Sequence, residues 1–307
     1  MQRWRGVADA PDGWGRCVVT IGVFDGVHRG HQQIVGRTVQ RARDAGVPAV
    51  VLAFDPNPIE VLRPGTEVVR LTAPDFQAEL LAGLGVDVLC VLAFTAEFSR
   101  QSPEEFVDQT LVGALHAAHV VVGANFRYGH KAAGTVESLR ESGSKHGFTV
   151  EAVPMIADGA LAYSSTSVRA SIESGDVVTA ARALGHGHRL DGVVVRGDGR
   201  GRKLGYPTAN LRLTLRAAVP ADGVYAGRVV LGERRLPAAI SVGTNPTFDG
   251  HGRRVEAHIL DFDEDIYDDP IGIEFTALVR PMERFDSVDE LIAQMARDVA
   301  RTREIVR

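Results

Sequence analysis

Residues 17–54, CVVTIGVFDGVHRGHQQIVGRTVQRARDAGVPAVVLAF, pass from an apolar β-branched run through a glycine-containing turn and a helical pattern to a second apolar run. Val35, Val39 and Ala42 recur at helical spacing, and Gly46 supplies the stop. The two flanking runs are apolar nearly throughout, as strands covered on both faces of a parallel sheet must be. The stretch therefore predicts a β-α-β unit. The same alternation continues to about residue 156, with apolar runs at 86–94, 119–126 and 148–156 and helical patterns at 75–83, 103–115 and 134–145. An α/β domain built on a parallel sheet follows, and in such sheets ligands bind beyond the carboxyl ends of the strands, near a topological switch point.

Two short helices are expected over 163–185, and GHGHRLDG, 185–192, reads as a linker. Beyond it the pattern changes. The runs GVVVRG, YPTANLRL, GVYAGRVVL, LPAAISVG, RRVEAHILDF and IGIEFTALV follow one another with only turn residues between them. That spacing predicts a compact antiparallel β-barrel or sandwich. A final helix starts at the capping-box spacing Ser287 to Glu290 and carries Val288, Leu291, Ile292, Met295 and Val299 on one face, expected to pack on the barrel as core. The expected domains are 1–185 and 186–307.

The 307 residues, 45% hydrophobic and 24% charged, suffice for two cores and exclude the disordered and fibrous classes. The apolar runs are too short to span a membrane, and the first ten residues lack the apolar core of a signal peptide, so a cytoplasmic protein is expected. A net charge of -5 without a Lys/Arg block argues against a nucleic-acid partner, while leaving room for a basic pocket that takes a small polyphosphate. Cys17 and Cys90 lie inside strand-like runs, which makes them buried free thiols rather than a disulfide or metal pair.

His28 and His31 bracket Gly30 at the end of the first strand. Zinc would need three or four ligands, and no cysteine is near enough in sequence to complete the set; His116 and His119 belong to another connection. A pair of histidines capping a helix in solvent is the plain structural reading. A phosphate grip suits the arrangement better, because a strand end, a glycine turn and a helix start aim backbone N–H groups and the positive end of a helix dipole at one spot. Gly26 and Gly30 would let a triphosphate approach the backbone. Neither a dinucleotide-binding fingerprint nor a Walker A pattern is present. YSSTSVR, 163–169, taken alone reads as a helix cap followed by a solvated arginine. In GDGRGRKLGYPTANL, 197–211, Thr208 and Asn210 stand at period two on a strand, so their oxygens share a face and suit magnesium, the plain alternative being a basic hairpin loop beside a surface Thr/Asn pair. The glycine-basic segment before them, with Gly201, Lys203 and Gly205, reads as a mobile cover for ATP phosphates.

GVFDGVHRGH, 22–31, resembles the H-x-G-H signature of the nucleotidyltransferase superfamily, and YSSTSVR resembles its second signature. FDPNP, SPEEFVDQTLV and VVGANFRYG are similar to the FMN adenylyltransferase module of bacterial bifunctional riboflavin kinase/FAD synthetases. PTAN, GVYAG, SVGTNPTF, VEAHILDF and the final helix resemble the riboflavin kinases. The likeness runs from about residue 15 to 305 with the motifs in order. It implies a Rossmann-like nucleotidyltransferase domain followed by a kinase barrel, and two reactions: riboflavin plus ATP giving FMN, then FMN plus ATP giving FAD and pyrophosphate.

The resemblance also implies roles. His28 and His31 would hold the ATP phosphates and stabilise charge at the α-phosphate, within a nucleotide site that takes in Gly22, Phe24, Asp25, Gly30 and Asn125. Ser164, Ser165, Thr166 and Arg169 would grip the departing pyrophosphate. FDPNP, with Phe54, Pro56 and Pro58, reads either as a plain turn or as a stiff wall for an isoalloxazine ring, and Asn57 stands where many relatives carry histidine or another long polar residue. Glu256 would accept the proton of the ribityl hydroxyl, and an unpaired surface glutamate is the competing view. DIYDDP, 265–270, departs from the usual glycine after the tyrosine, which touches a turn. The expected cofactor is Mg2+, with ATP, riboflavin and FMN as small-molecule partners. Two other readings stay open, a nucleotidyltransferase for a different acceptor and a flavin-binding sensor without catalysis.

Overall fold

A computed structural model of the protein describes residues 1–154, 157–158, 161–197, 199–244 and 253–307. Positions 245–248 of SVGTNPTF, Asp198 in the glycine-basic run and the last two residues of the run at 148–156 lie outside them. The chain divides into two compact units, Met1–Val68 with Pro74–Tyr163, and Val69–Ala73 with Ser164–Arg307.

The first unit is a six-stranded parallel sheet. Its strands are β1 (Gln2–Trp4), β2 (Cys17–Ile21), β3 (Ala49–Asp55), β4 (Val88–Ala93), β5 (Ala117–Gly123) and β6 (Thr149–Val153), ordered β1-β4-β3-β2-β5-β6. From β2 the chain steps to β3 and β4 on one side, and later to β5 and β6 on the other. The switch point is thus the crevice beyond the ends of β2 and β5, one edge of which carries the histidine turn. Every residue of β2 is buried, as the unbroken apolar run requires. The short β1, which pairs with β4, has no periodic signal in three residues and the sequence reading did not anticipate it.

Helix α1 (Arg29–Ala45) ends at Gly46, whose φ of 64° closes it in the left-handed conformation. It buries Val35, Thr38 and Ala42, and the Thr38 hydroxyl donates to the Ile34 carbonyl at 2.9 Å. α2 (Pro58–Leu62) and α3 (Pro74–Gly83) follow β3. The helix expected at 103–115 is α-helical only in α4 (Pro103–Phe106) and then widens to i→i+5 hydrogen bonding over Val107–Ala114. Gly113 permits the wide turn, since a Cβ there would lie 2.9 Å from the Asp108 carbonyl oxygen. α5 (Val136–His146) leads into β6. Cys17 and Cys90 are free and buried, and burial pushes both thiols up to about 12.

After the short antiparallel pair β7 (Ala157–Asp158) and β8 (Leu161–Ala162) in the preceding chain, the second unit continues with α6 (Ser165–Glu173) and α7 (Val177–Leu184). Its barrel strands are β9 (His188–Val195), β10 (Ala209–Leu213), β11 (Gly223–Leu231), β12 (Arg234–Thr244), β13 (Arg253–Ile259) and β14 (Pro270–Pro281). They close antiparallel in the order β10-β13-β12-β11-β14-β9 around Tyr225, Ile240, Val255, Ile273 and Phe275. Between β9 and β10 lies α8 (Arg200–Lys203), a helical turn where a loop was expected. α9 (Val288–Ile305) packs against β11, β12 and β14, but the expected apolar face is only half-buried and Val288 is exposed. Its buried residues are Asp298 and Thr302, because Asp298 clasps Arg280 of β14 at 2.8 Å.

The linker reading of 185–192 needs correction. His188 is the fully buried first residue of β9, stacked on Phe275, and its Nε2 donates to the Ala218 carbonyl at 2.6 Å. Burial lowers its pKa from 6.5 to about 4. Below pH 6.5 the unfolded chain takes up a proton that the folded state refuses until about pH 4. The stabilisation is therefore complete above pH 6.5 and lost on acidification through that window, to the extent of about 3 kcal/mol. Comparing unfolding free energies of wild type and His188→Gln at pH 7 and pH 4.5 checks this: the acid-induced loss is expected to be smaller in the variant, and equal losses would refute it.

Candidate functional site

At the end of β2 the chain makes a strained turn. Phe24, Gly26 and Val27 have φ of 53°, 83° and 38°, and the Val27 N–H donates to the Phe24 carbonyl at 3.0 Å. Glycine suits such a conformation, and the other two residues are held in it by burial. His28 is the N-cap of α1: its Nδ1 accepts the His31 backbone N–H at 3.3 Å, and the two imidazoles stack with centroids 3.7 Å apart. The helix cap is thus real, but His28 is buried rather than set in solvent. Burial, and secondarily His28, hold the His31 pKa well below the ordinary imidazole value, and its Nδ1 is enclosed without a hydrogen-bond partner.

Two expectations change here. Gly30 does not simply open the backbone to a ligand, because a Cβ at that point would lie 3.1 Å from the His28 ring and 3.3 Å from the Tyr163 carbonyl. Phe24 is buried with its ring edge on His31 at 5.2 Å and against the Gly22 position at 3.2 Å. Its side chain backs the imidazole and is enclosed by the protein rather than turned outward. Asp25 is also buried. Asn125, exposed just past β5, stands at the same sheet edge because β5 pairs with β2.

Next to this edge lies an aromatic pocket of about 260 Å³ walled by Phe54, Phe94, Phe98, Phe106, Phe126 and Tyr128, with Pro58 at its rim. Phe54 and Phe94 meet edge-on at 5.5 Å, and Phe126 stacks on Tyr128 at 5.7 Å. Pro56 does not line it, contrary to expectation. Asn57 caps α2: its Oδ1 accepts the Ile59 N–H, and Glu60 accepts the Asn57 N–H, both at 3.1 Å. Sequence reasoning missed five of the six aromatic walls, although Phe94 and Phe126 end two of the apolar runs and could have been read from that.

In the second unit Ser164 caps α6, accepting the Ser167 N–H at 3.1 Å, and Ser165 and Thr166 form the first helical turn. Arg169 is not a solvated arginine, since its Nε donates to the Val69 carbonyl at 2.7 Å. In the barrel, Asn210 of β10 faces Glu256 of β13 in register. The Thr208 hydroxyl donates to Glu256 Oε2 at 3.0 Å and Arg254 reaches Oε1 at 3.4 Å, so Glu256 is not the unpaired surface glutamate of the competing view. A cavity of about 310 Å³ holds Gly201, Thr208, Asn210, Arg254 and Glu256, and one of about 440 Å³ holds Arg196, Arg202, Thr208, Phe262 and Tyr267. Thr208 borders both. A Cβ on Gly197 would fall 2.6 Å from Asn210 Cγ, and one on Gly201 would strike the Tyr206 carbonyl. Lys203 is exposed and lines neither cavity; Gly205, with φ 86°, turns the chain toward β10. Asp268 occupies a left-handed position, φ 66°, which its short polar side chain tolerates. No group of three or more His, Cys, Asp or Glu is placed to hold a metal among the described residues.

Two family models match the chain: FAD synthetase over residues 11–167 and riboflavin kinase over 184–306. A bifunctional riboflavin kinase/FMN adenylyltransferase from Pseudomonas fluorescens is 39% identical over 99% of this chain and 98% of its own. The chain belongs to this family. A second member, from Escherichia coli K12, is 36% identical over 94% of this chain and 92% of its own. A crystal structure from Streptococcus pneumoniae, described as a macrolide-efflux protein, is 35% identical and superposes with a TM-score of 0.90 over 98% of both chains. Among the described residues no helix is long and apolar enough to cross a membrane. As a bifunctional riboflavin kinase/FMN adenylyltransferase, the protein phosphorylates riboflavin to FMN and adenylylates FMN to FAD, using ATP in both steps. The readings with another acceptor or without catalysis give way to this.

Proposed function

We propose that the two reactions run on separate residue sets, phosphorylation within 186–307 and adenylyl transfer within 1–185. The kinase half is carried by one observation, the 3.0 Å hydrogen bond that joins Thr208 to Glu256 beside both barrel cavities. The ribityl hydroxyl is a weak nucleophile until its proton has somewhere to go. Glu256 takes that proton as the oxygen bonds to the γ-phosphorus and ADP leaves. Gly201 keeps the backbone close to the phosphates, while Gly205 and the exposed Lys203 belong to the same glycine-basic segment and reach ATP only from outside the two cavities.

Thr208 and Asn210 offer neutral oxygens next to a carboxylate, a hard donor set that suits Mg2+, which takes few protein ligands and fills its shell with water and phosphate. Magnesium bound there neutralises charge on the transferring phosphates. Thr208→Val is expected to raise the magnesium concentration that half-saturates FMN formation by about tenfold, while Mg2+ restores activity to chelator-treated wild type. An unchanged requirement in the variant would count against the assignment.

In adenylyl transfer the FMN phosphate attacks the α-phosphorus of ATP and pyrophosphate leaves. That nucleophile is already ionised, so donors matter more than a base. The capping bond occupies His28 Nδ1 as acceptor, so in the neutral ring the proton sits on Nε2, a donor for the developing charge. His31 stacks on it, and the first N–H groups of α1 add the positive end of the dipole. Asn125 contacts the nucleotide phosphates from β5, Gly22 and Asp25 line the nucleotide, and Ser164, Ser165, Thr166 and Arg169 hold the pyrophosphate. The isoalloxazine ring takes the aromatic pocket of Phe54 and Pro58. A cytoplasmic setting agrees with two free thiols.

A further inference from the structure

The turn that presents His28 is pinned from outside its own segment. Phe24 and Val27 are non-glycine residues in the left-handed region, and such conformations persist only where the surroundings over-determine them. Apolar packing supplies part of this, since Phe24 and Val27 share a buried cluster with Ala78 and Leu81 of α3. Packing is non-directional, however, and does not by itself orient a peptide plane. Two amide side chains do: Gln77 of α3 donates from Nε2 to the Val23 carbonyl at 2.9 Å, and Gln32 of α1 donates to the Val27 carbonyl at 2.8 Å. Gln32 belongs to the helix that the turn opens. Gln77 stands 54 residues along the chain from Val23, on a different helix.

We propose that Gln77 is a positioning residue for adenylyl transfer: its N–H, given to the Val23 carbonyl, fixes the turn that aims the imidazoles of His28 and His31. The proposal rests on the reading of those histidines as the phosphate grip. It requires a donor at position 77, not merely a side chain of that size. Gln77→Met and Gln77→Glu fill similar space without a donor, one neutral and one charged, whereas Gln77→Lys restores an N–H.

In the full-length protein, Gln77→Met and Gln77→Glu are each expected to lower kcat for FAD formation from supplied FMN by about 10- to 100-fold, the scale of a small misplacement of reacting groups. The KM for FMN and the rate of riboflavin phosphorylation should hold, and Gln77→Lys should recover most of the loss. Wild-type kcat in Gln77→Glu would overturn the proposal, as would a parallel fall in kinase activity or a Gln77→Lys enzyme no better than Gln77→Met. The His28→Ala, His31→Ala enzyme separates the two levels. Undiminished FAD formation there removes the phosphate-grip reading itself, whereas an inactive double variant beside a fully active Gln77→Glu removes only the positioning role.

Discussion

Glu256→Gln is expected to lower FMN formation from riboflavin by about 10²- to 10⁴-fold, the contribution of a positioned base to proton transfer. The substitution keeps the shape of the side chain and an oxygen for the Thr208 hydroxyl, so the 3.0 Å contact can survive while the proton acceptor is lost. Arg254, 3.4 Å from the other carboxylate oxygen, loses its ionic partner, but the pair is partly exposed and contributes little to stability. FAD formation from supplied FMN should be unchanged. Measuring both products in one preparation makes the intact adenylyltransferase a control for folding. Loss of both activities together would refute the division of labour between residues 1–185 and 186–307.

His28→Ala combined with His31→Ala should give the opposite pattern, a fall of at least about 10²-fold in FAD formation with riboflavin phosphorylation intact. Removing one preorganised donor from a site of developing charge already has an effect on that scale. The alanine at position 28 also removes the cap of α1, at a cost of about 1 kcal/mol. His28→Asn separates the two effects. Asparagine caps a helix well, so the helix start is retained while the imidazole donor is lost. This variant should stay as inactive as the alanine one. Full activity in His28→Asn would mean that the histidine serves the helix and not the phosphates.

Much of this protein is legible locally. The apolar runs of 17–54 announce parallel strands because burial on two faces leaves no place for alternation, and the short successive runs of β9 to β14 announce an antiparallel barrel or sandwich, a choice that only the observed closure settles. Gly46, Ser287 and Asn57 act as caps that depend only on neighbours within one helical turn. The linker reading failed because glycine and histidine composition marks a loop only on average. His188 is buried through contacts with Ala218 and Phe275, which lie far along the chain.

By itself, then, the sequence determined the two fold classes, their order and the motifs at strand ends, since these depend on periodicity and near neighbours. The tertiary structure decided what those motifs touch. Phe54, Phe94 and Phe126 become one pocket only because β4, β3, β2 and β5 lie side by side in an order that no local pattern encodes. Glu256 becomes a paired carboxylate because barrel closure sets β13 against β10 in a register that brings Thr208 within reach. GVFDGVHRGH names its histidines, while the left-handed turn that aims them is held by a glutamine on another helix. Strand order, register and strain are properties of non-local contacts, and those exist only once the chain has folded.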